Sequence, residues 1–340
     1  MRRVATAALL LTWSQLALAQ GTLRGVVTAA ETSEPLGFSI VTLVPTFGKR
    51  FTDPAGVFAF PNIPAGLYLL SIRQIGYTPR DTQIVVRDDA APFLRIALRH
   101  LAVELPAVTV TGRSSCTRPG PPDRTATPAL AIVFDQLLEN ARRLELLADS
   151  YPFRFRLERA FQSVSKRGDS LPAEVDTLNL ESTETRRPYR PGRVVEDGSG
   201  PFANRRIVSL PSLHELGDSV FLRNHCFRLA GRDTIEGETL VRIDFEPPGA
   251  LAFSDVAGSA YLDSVTYQLR FTETSLTKPQ RSQIAGIRDL VARIRFRDIV
   301  SGIVLPEHVR AVTTYRVGAL ESRVETQKLL AVHFRRALPP

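Results

Sequence analysis

Histidines and carboxylates at metal-binding spacing are the first candidates for chemistry in this sequence. A hydrolytic zinc site needs ligands on one face of an element, as in a His-x-x-Glu motif, together with a distant histidine. None of the five histidines begins such a motif, because Glu215 directly follows His214 and Glu307 directly precedes His308. The sequence therefore predicts no metal site.

Other catalytic signatures are also absent from the sequence. It contains no Gly-x-Ser-x-Gly elbow, no Gly-x-x-x-x-Gly-Lys loop, no Gly-x-Gly-x-x-Gly motif and no Cys-x-x-Cys pair. We expect a non-catalytic protein that binds no cofactor. A hydrolase with a cryptic site is the alternative, and it would require two of His214, His225 and His308 to converge with a carboxylate.

Three arginines near the C-terminus could form a binding face. Arg293, Arg295 and Arg297 alternate with apolar residues, so a strand would place their side chains on one face of a sheet. Such a face could bind an anionic ligand such as a lipid headgroup, and a solvent-facing surface without a ligand is the alternative. The formal net charge of the chain is +8. This positive net charge suits a nucleic acid, an anionic lipid or an acidic glycan as a partner. The alternative is that it reflects codon composition alone.

The N-terminus has the pattern of a signal peptide over residues 1–19. Two arginines precede an apolar run over 4–18, which is shorter than the roughly 20 residues of a membrane-spanning helix. A small-x-small pattern at 17–19 predicts cleavage after Ala19, and no cysteine lies near that point to accept a lipid. We expect an exported protein, in the periplasm or associated with the outer membrane. Peripheral membrane contact remains open, and export argues against nucleic acid as a partner.

Cys116 and Cys226 are the two cysteines of the chain. An exported protein folds in an oxidising compartment, where paired cysteines form disulfides. We expect a single bridge between them, and two free thiols are the alternative. Such a bridge would close a loop of about 110 residues, which the chain-entropy account values at about 4–5 kcal/mol.

Short strands separated by turns fill the region 20–110. Runs rich in β-branched and aromatic residues alternate there with Gly, Pro and Asp turns. Asp53 and Gly56 belong to one tight turn, in which the glycine can adopt a positive φ. Phe58 and Phe60 share one face of the following strand and are expected in the core. About seven short antiparallel strands in this region predict a β-sandwich.

The ordered motifs of this region resemble those of the carboxypeptidase regulatory-like family. The resemblance implies a transthyretin-like sandwich without catalytic residues. Related modules also precede TonB-dependent outer-membrane receptors, and residues 105–112 are similar to the segment that follows the module there. The remaining ~200 residues are too few for the barrel of such a receptor. The resemblance rests on GVV at 25–27, EPLG at 34–37, TDPAGVF at 52–58, NIPAGLY at 62–68 and IGY at 75–77, with signature turns at Asp53, Gly56, Gly66, Gly76 and Tyr77.

A linker and a second domain are predicted for the rest of the chain. Residues 111–128 are rich in Pro, Arg, Ser and Thr, which is typical of a linker. The region 129–340 begins with apolar residues at helical spacing, and Arg142 and Arg143 are expected on the polar side of that helix. A polar stretch over 166–201 predicts a solvated loop.

Alternating strands follow and predict a curved antiparallel sheet. Their pattern resembles the half-barrels of lipoprotein carriers, and the region around 225–229 is similar to C-terminal parts of bacterial regulatory-like proteins. The predicted fold class is therefore mainly β: a seven-stranded transthyretin-like β-sandwich, then a helix and a second curved antiparallel β-sheet domain.

The sequence favours an exported envelope protein that binds or scaffolds a partner protein through the edges of its sandwich. A carbohydrate- or lipid-binding protein that uses the concave sheet of the second domain is the alternative. The histidines needed for a cryptic hydrolase are scattered along the chain, so position in the sequence does not decide that possibility.

Overall fold

The computed structural model describes residues 21–45, 48–87, 93–103, 116–184, 189–197, 206–208, 210–282, 286–316 and 318–338. The predicted signal peptide lies outside these residues, as does the receptor-like segment at 105–112. The predicted domain boundaries at 19 and 110 also lie outside the described residues, and the boundary at 128 stays a prediction.

Seven strands form the N-terminal sandwich, as the sequence predicts. They lie in a three-stranded sheet of order β4-β1-β7 and a four-stranded sheet of order β3-β2-β5-β6. The expectation that all of them are antiparallel was wrong, because the last strand pairs with the first in parallel, from Arg24 with Phe93 to Ala29 with Leu98. Phe58 and Phe60 are buried between the sheets with Leu23, Leu43 and Leu70. The strands are β1 (Gly21–Ala29), β2 (Ile40–Val44), β3 (Gly48–Phe51), β4 (Val57–Ile63), β5 (Gly66–Arg73), β6 (Arg80–Val86) and β7 (Phe93–Leu98).

The turn between β3 and β4 is held by Asp53 and requires Gly56. Asp53 Oδ1 accepts a hydrogen bond of 2.8 Å from the backbone N–H of Val57. Gly56 has a φ of +75°, and its carbonyl accepts a 2.8 Å hydrogen bond from the N–H of Val27 in β1. A Cβ atom on Gly56 would lie 2.4 Å from the Val27 carbonyl oxygen, so no other residue fits here without a backbone shift.

Replacing this glycine is expected to be far more costly than replacing a glycine of similar φ in open space. Gly56→Ala should lower the free energy of unfolding by about 2–4 kcal/mol, from left-handed strain plus the clash with Val27. Gly48→Ala is the matched control, because Gly48 has a φ of +80° and no described atom within 4 Å of an added Cβ. It should cost only about 1 kcal/mol. Urea unfolding of both variants measures the difference, and equal losses would contradict the role of the close contact.

Helix α1 (Pro128–Ser150) begins one residue before the predicted start at 129, with Pro128 in the first turn after Thr127. Its apolar residues Val133 and Leu137 are fully buried against the sheet of the second domain. The prediction for Arg143 was wrong, because its side chain is also fully buried. No helix among the described residues is both long and apolar enough to cross a membrane.

A curved nine-stranded antiparallel sheet forms most of the second domain, with order β12-β13-β14-β15-β16-β17-β18-β8-β9. Neighbouring strands are mostly consecutive in sequence, which is the predicted meander. Its strands are β8 (Phe153–Ser165), β9 (Glu174–Glu181), β12 (Cys226–Ile235), β13 (Glu238–Glu246), β14 (Val256–Asp263), β15 (Leu269–Leu276), β16 (Ile287–Val300), β17 (Ile303–Tyr315) and β18 (Leu320–Phe334).

Short elements connect β9 to β12. They are the paired strands β10 (Val195–Asp197) and β11 (Arg206–Val208), then helices α2 (Leu213–Gly217) and α3 (Ser219–Arg223). One face of the sheet packs on α1 and forms the main core with α2 and α3. The part of this sheet face that α1 covers is filled with packed side chains, so that part is not open to a lipid or glycan.

The polar stretch over 166–201 is only partly a loop. Strand β9 lies within it and pairs with β8 along eight residues from Glu174 to Glu181. Tyr189 is buried, and its hydroxyl donates a 2.7 Å hydrogen bond to Asp255. The polar composition of this stretch predicted a loop and was wrong for β9, because a strand at the edge of a sheet keeps one face and one edge in water.

Candidate binding surfaces

The structure joins Cys116 and Cys226 by a disulfide, as the sequence predicts. Cys226 begins β12 at one edge of the nine-stranded sheet, and Cys116 lies at the start of the described linker residues. Four residues after Cys116, the linker residue Gly120 donates a 2.9 Å backbone hydrogen bond to the His225 carbonyl. The bridge therefore holds the chain that follows the sandwich against the second domain.

The three predicted arginines share the face of β16 that is opposite helix α1. Arg293, Arg295 and Arg297 are partly exposed, whereas Ile294 and Phe296 between them are buried in the core. The three arginine side chains therefore lie on the side of the strand that faces away from the core. Binding of an anionic ligand to it stays a prediction.

Glutamates from neighbouring strands and a turn accompany these arginines. Arg293 Nε lies 3.6 Å from Glu273, and Arg295 forms an ion pair with Glu236 in the turn between β12 and β13. Arg297 Nη1 lies 3.8 Å from Glu307 of β17. An incoming anion would have to compete with these carboxylates.

The same arginines cover an aromatic side chain on this face. The guanidinium carbon of Arg293 lies 4.7 Å from the ring centroid of Phe271, and that of Arg295 lies 5.5 Å from it. Phe271 packs with Tyr261 and Leu240 in a small apolar cluster of its own. The arginines thus have a packing role that alternation in the sequence does not reveal.

A buried polar network joins the sandwich to the second domain through Arg143. Its Nη1 donates a 2.7 Å hydrogen bond to Gln74 Oε1, which follows β5 of the sandwich. Its Nε donates a 2.9 Å hydrogen bond to the carbonyl of Gly302, and Nη2 donates to that of Ser301, both in the turn between β16 and β17. Burial lowers the pKa of Arg143 to about 10, which leaves it charged at neutral pH.

Two further side chains of α1 complete this junction. Gln136 Oε1 accepts a 2.8 Å hydrogen bond from the N–H of Gly76, one of the predicted signature residues. Asn140 Nδ2 donates a 3.0 Å hydrogen bond to the carbonyl of Tyr267, and its Oδ1 accepts one of 2.9 Å from the N–H of Leu269 at the start of β15. The signature turn at Gly76 therefore contacts the second domain in this protein.

The remaining signature residues have local roles. Gly66 begins β5, and a Cβ atom added to it would lie 3.4 Å from the ring of Tyr68. Tyr77 pairs with His100 in an isolated β-bridge, and their rings lie 5.4 Å apart. These residues shape the sandwich and carry no reactive group in a cleft.

Exposed apolar side chains cluster on the outer face of the four-stranded sheet, at the end of β5 away from Gly76. Leu67 and Val85 are paired across β5 and β6 and are 62% and 57% exposed. Val44 and Leu69 are paired across β2 and β5 beside them and are also exposed. We call these four residues the sandwich patch.

A buried polar cluster centres on His225 and Asp255. The ring of His225 places Nδ1 3.0 Å from the Phe221 carbonyl and Nε2 3.0 Å from the Val256 carbonyl. Asp255 accepts hydrogen bonds from the Tyr189 hydroxyl and two backbone N–H groups. Burial lowers the pKa of His225, although both carbonyls and the Asp255 charge act in the opposite direction.

This lowered pKa predicts a loss of stability in mild acid. The ordinary pKa of histidine is 6.5, so the unfolded chain takes up this proton before the folded protein does as the pH falls. The free energy of unfolding should decrease below pH 6.5 by up to about 1.4 kcal/mol per pH unit, until the folded state is also protonated. Urea unfolding at several pH values measures this slope. His225→Gln should flatten it, and parallel profiles for the two proteins would contradict the prediction.

The three histidines of the cryptic-hydrolase alternative lie on different elements. His225 is buried in the core, His308 is exposed on β17, and His214 in α2 lies 3.8 Å from Glu145 of α1. No group of three or more His, Cys, Asp or Glu side chains within the described ranges could hold a metal ion.

The fold defines a mainly β protein in which a seven-stranded sandwich precedes a helix and a nine-stranded antiparallel sheet. Residues 22–99 match the family model of the carboxypeptidase regulatory-like domain. The chain therefore contains a carboxypeptidase regulatory-like domain, as the order of its turn motifs predicts. A comparison with curated proteins gives no match.

Solved structures similar to this chain include a LolA superfamily protein from Nitrosomonas europaea, at 11% identity and a TM-score of 0.30. A DUF1329 family protein from Desulfovibrio piger is similar at 10% identity and a TM-score of 0.32. Each match covers 60% of this chain and 94% of the other. At scores this low the likeness carries no argument about function, so the resemblance to lipoprotein carriers stays a prediction.

Proposed function

We propose that this protein is an exported, non-catalytic cell-envelope protein that binds or scaffolds a partner protein through its sandwich. The observation that carries the proposal is the sandwich patch, where Leu67 and Val85 are more than half exposed on paired strands. Contiguous exposed apolar side chains on a sheet are typical of interaction sites.

Basic residues at both edges of the four-stranded sheet indicate which chemistry a partner surface would need. Lys49 on β3 and Arg87 after β6 are exposed on either side of the patch. The partner surface that complements them is apolar with an acidic rim. The buried junction at Arg143 supports a scaffold, because it fixes the other end of the sandwich to the second domain.

Export is supported by two independent features. Residues 1–19 have the arginine-apolar-small pattern of a signal peptide. The Cys116–Cys226 disulfide is of the kind that persists in oxidising compartments. Both features agree with a periplasmic or outer-membrane-associated place of action.

Site-specific photo-crosslinking in the bacterium that makes the protein tests the docking surface. A benzoylphenylalanine residue at position 67 or 85 should give the same adduct with one envelope protein. Residue 265 is the matched control, because Val265 is 61% exposed but lies in the second domain. It should not give that adduct.

Two substitutions at the sandwich patch distinguish specific docking from non-specific contact. Leu69→Glu places a charge within the apolar surface, and Lys49→Glu reverses a charge at its rim, so each should reduce the adduct several-fold. An adduct that also forms from position 265, or one that neither substitution weakens, would exclude docking at the sandwich patch. Absence of any adduct from positions 67 and 85 would exclude it as well.

A further inference from the structure

A cleft between the sandwich and helix α1 is lined mainly by polar and charged side chains. Its volume is about 420 Å³, and its walls include Arg73 and Asp81 of the sandwich and Gln136, Glu139 and Arg142 of α1. Pockets of about 300–1,000 Å³ hold small molecules, and they commonly lie between domains. The junction thus contains a cavity of the size that a small ligand needs.

Glu139 is a buried group in this cleft that lacks a hydrogen-bond donor. Its side chain is 6% exposed, and its Oε1 receives no hydrogen bond from the described residues. Oε2 lies 3.7 Å from Nη1 of Arg142, which is too long for a hydrogen bond. The negative charge of Glu139 also stabilises the charged form of Arg143, but the Arg143 guanidinium donates its hydrogen bonds to other acceptors. A buried carboxylate without a hydrogen-bond donor is costly. Oε1 has almost no accessible surface, so a donor supplied by a ligand in the cleft would have to reach Oε2.

Two arginines offer donors to a second, negative group. Arg142 is 51% exposed, and its contact with Glu139 is long. Arg73 Nη2 lies 3.4 Å from one oxygen of Asp81, so its engagement is also incomplete. A planar guanidinium has several N–H groups that match a carboxylate, so each of these arginines can accept a second partner.

We propose that this cleft binds a small zwitterion of the amino acid or dipeptide class. The ammonium group donates to Glu139, and the carboxylate is held by Arg142 and Arg73. The lining offers little apolar surface beyond Pro79, which disfavours a lipid chain or an aromatic ligand. This site is separate from the sandwich patch, so either proposal can fail without the other.

Titration calorimetry with glycylglycine on the full protein tests the proposal. The zwitterion should give saturable heat. Acetylation of its amino group removes the partner of Glu139, and amidation of its carboxyl group removes the partner of the arginines. Each capped form should bind at least about tenfold more weakly.

Two glutamates on the same helix give a matched pair of variants. Glu139→Gln removes the charge in the cleft and should weaken glycylglycine at least about tenfold. Glu145→Gln should leave binding unchanged, because Glu145 is exposed beside His214 and outside the cleft. The proposal is overturned if neither glycylglycine nor free glycine gives saturable heat, or if the capped forms bind as well as the zwitterion. If Glu139→Gln does not fold, the capped ligands on the unaltered protein still decide.

Discussion

The double substitution Cys116→Ser and Cys226→Ser is expected to lower the free energy of unfolding by about 4–5 kcal/mol. The bridge joins residues 110 positions apart, and a loop of this length gives the unfolded chain much conformational entropy when it is opened. Such a loss is a large fraction of the stability of most domains. Equilibrium unfolding in urea measures it for the variant and for the oxidised protein.

The reduced form of the unaltered protein is the natural control for this experiment. It lacks the same cross-link and retains both cysteine side chains, so its stability should match that of the double variant. A loss below about 1 kcal/mol in both proteins would contradict the prediction, because it would mean that the bridge leaves the unfolded chain as free as before.

Arg143→Met is expected to lower the free energy of unfolding by about 3–5 kcal/mol. Methionine fills much of the same space but cannot donate a hydrogen bond. The substitution therefore leaves the Gln74 side-chain oxygen and the Gly302 carbonyl without their donor in a buried junction. Urea unfolding measures the loss, and faster hydrogen exchange at the Gly76 amide would show that the two parts separate at this junction.

Arg142→Met supplies the control, because Arg142 is the neighbouring arginine on the same helix and is 51% exposed. The guanidinium of Arg142 is half exposed and lies 3.7 Å from Glu139, too far for a hydrogen bond, so this variant should lose less than about 1 kcal/mol. Similar losses for the two variants would contradict a special role for Arg143.

Much of the sandwich was predictable because local patterns decide it. The alternation around Phe58 and Phe60 specifies which side chains face the core, and Asp53 with Gly56 specifies one tight turn. These signals act over a few residues, so they can be read without knowledge of distant contacts. Strand β3 (Gly48–Phe51) is harder to recognise, because it is short and mostly exposed.

Helix α1 shows the limit of such patterns. Its apolar spacing correctly predicts a packed helix, but Arg143 was expected on the polar side of that helix. Arg143 belongs with three other polar residues of the helix, Gln136, Glu139 and Asn140. All four are buried. They are spaced three, one and three residues apart, so they form a second stripe along the helix. The sequence signal for these residues was a polar stripe at helical spacing beside the apolar one. This signal does not show which part of the protein covers the polar stripe.

The residues of the candidate binding surfaces could be predicted from the sequence to different degrees. The sequence alone placed Arg293, Arg295 and Arg297 on one strand face, but their glutamate partners and Phe271 come from other strands. The sandwich patch joins residues of β2, β5 and β6, whose register only the sheet defines.

The sequence by itself determined the regulatory-like sandwich and the meander of strands after the helix, and it offered one possible disulfide that the structure shows to be formed. The meander follows from periodicity along the chain, and the regulatory-like sandwich from the resemblance of its ordered turn motifs to those of that family. Only the tertiary structure decided that α1 is buried on two sides, that Arg143 ties the two parts together and that Glu139 lines a cleft. The physical reason is that a polar side chain has the same local pattern in water and in a buried network, and the difference lies in partners far away in sequence.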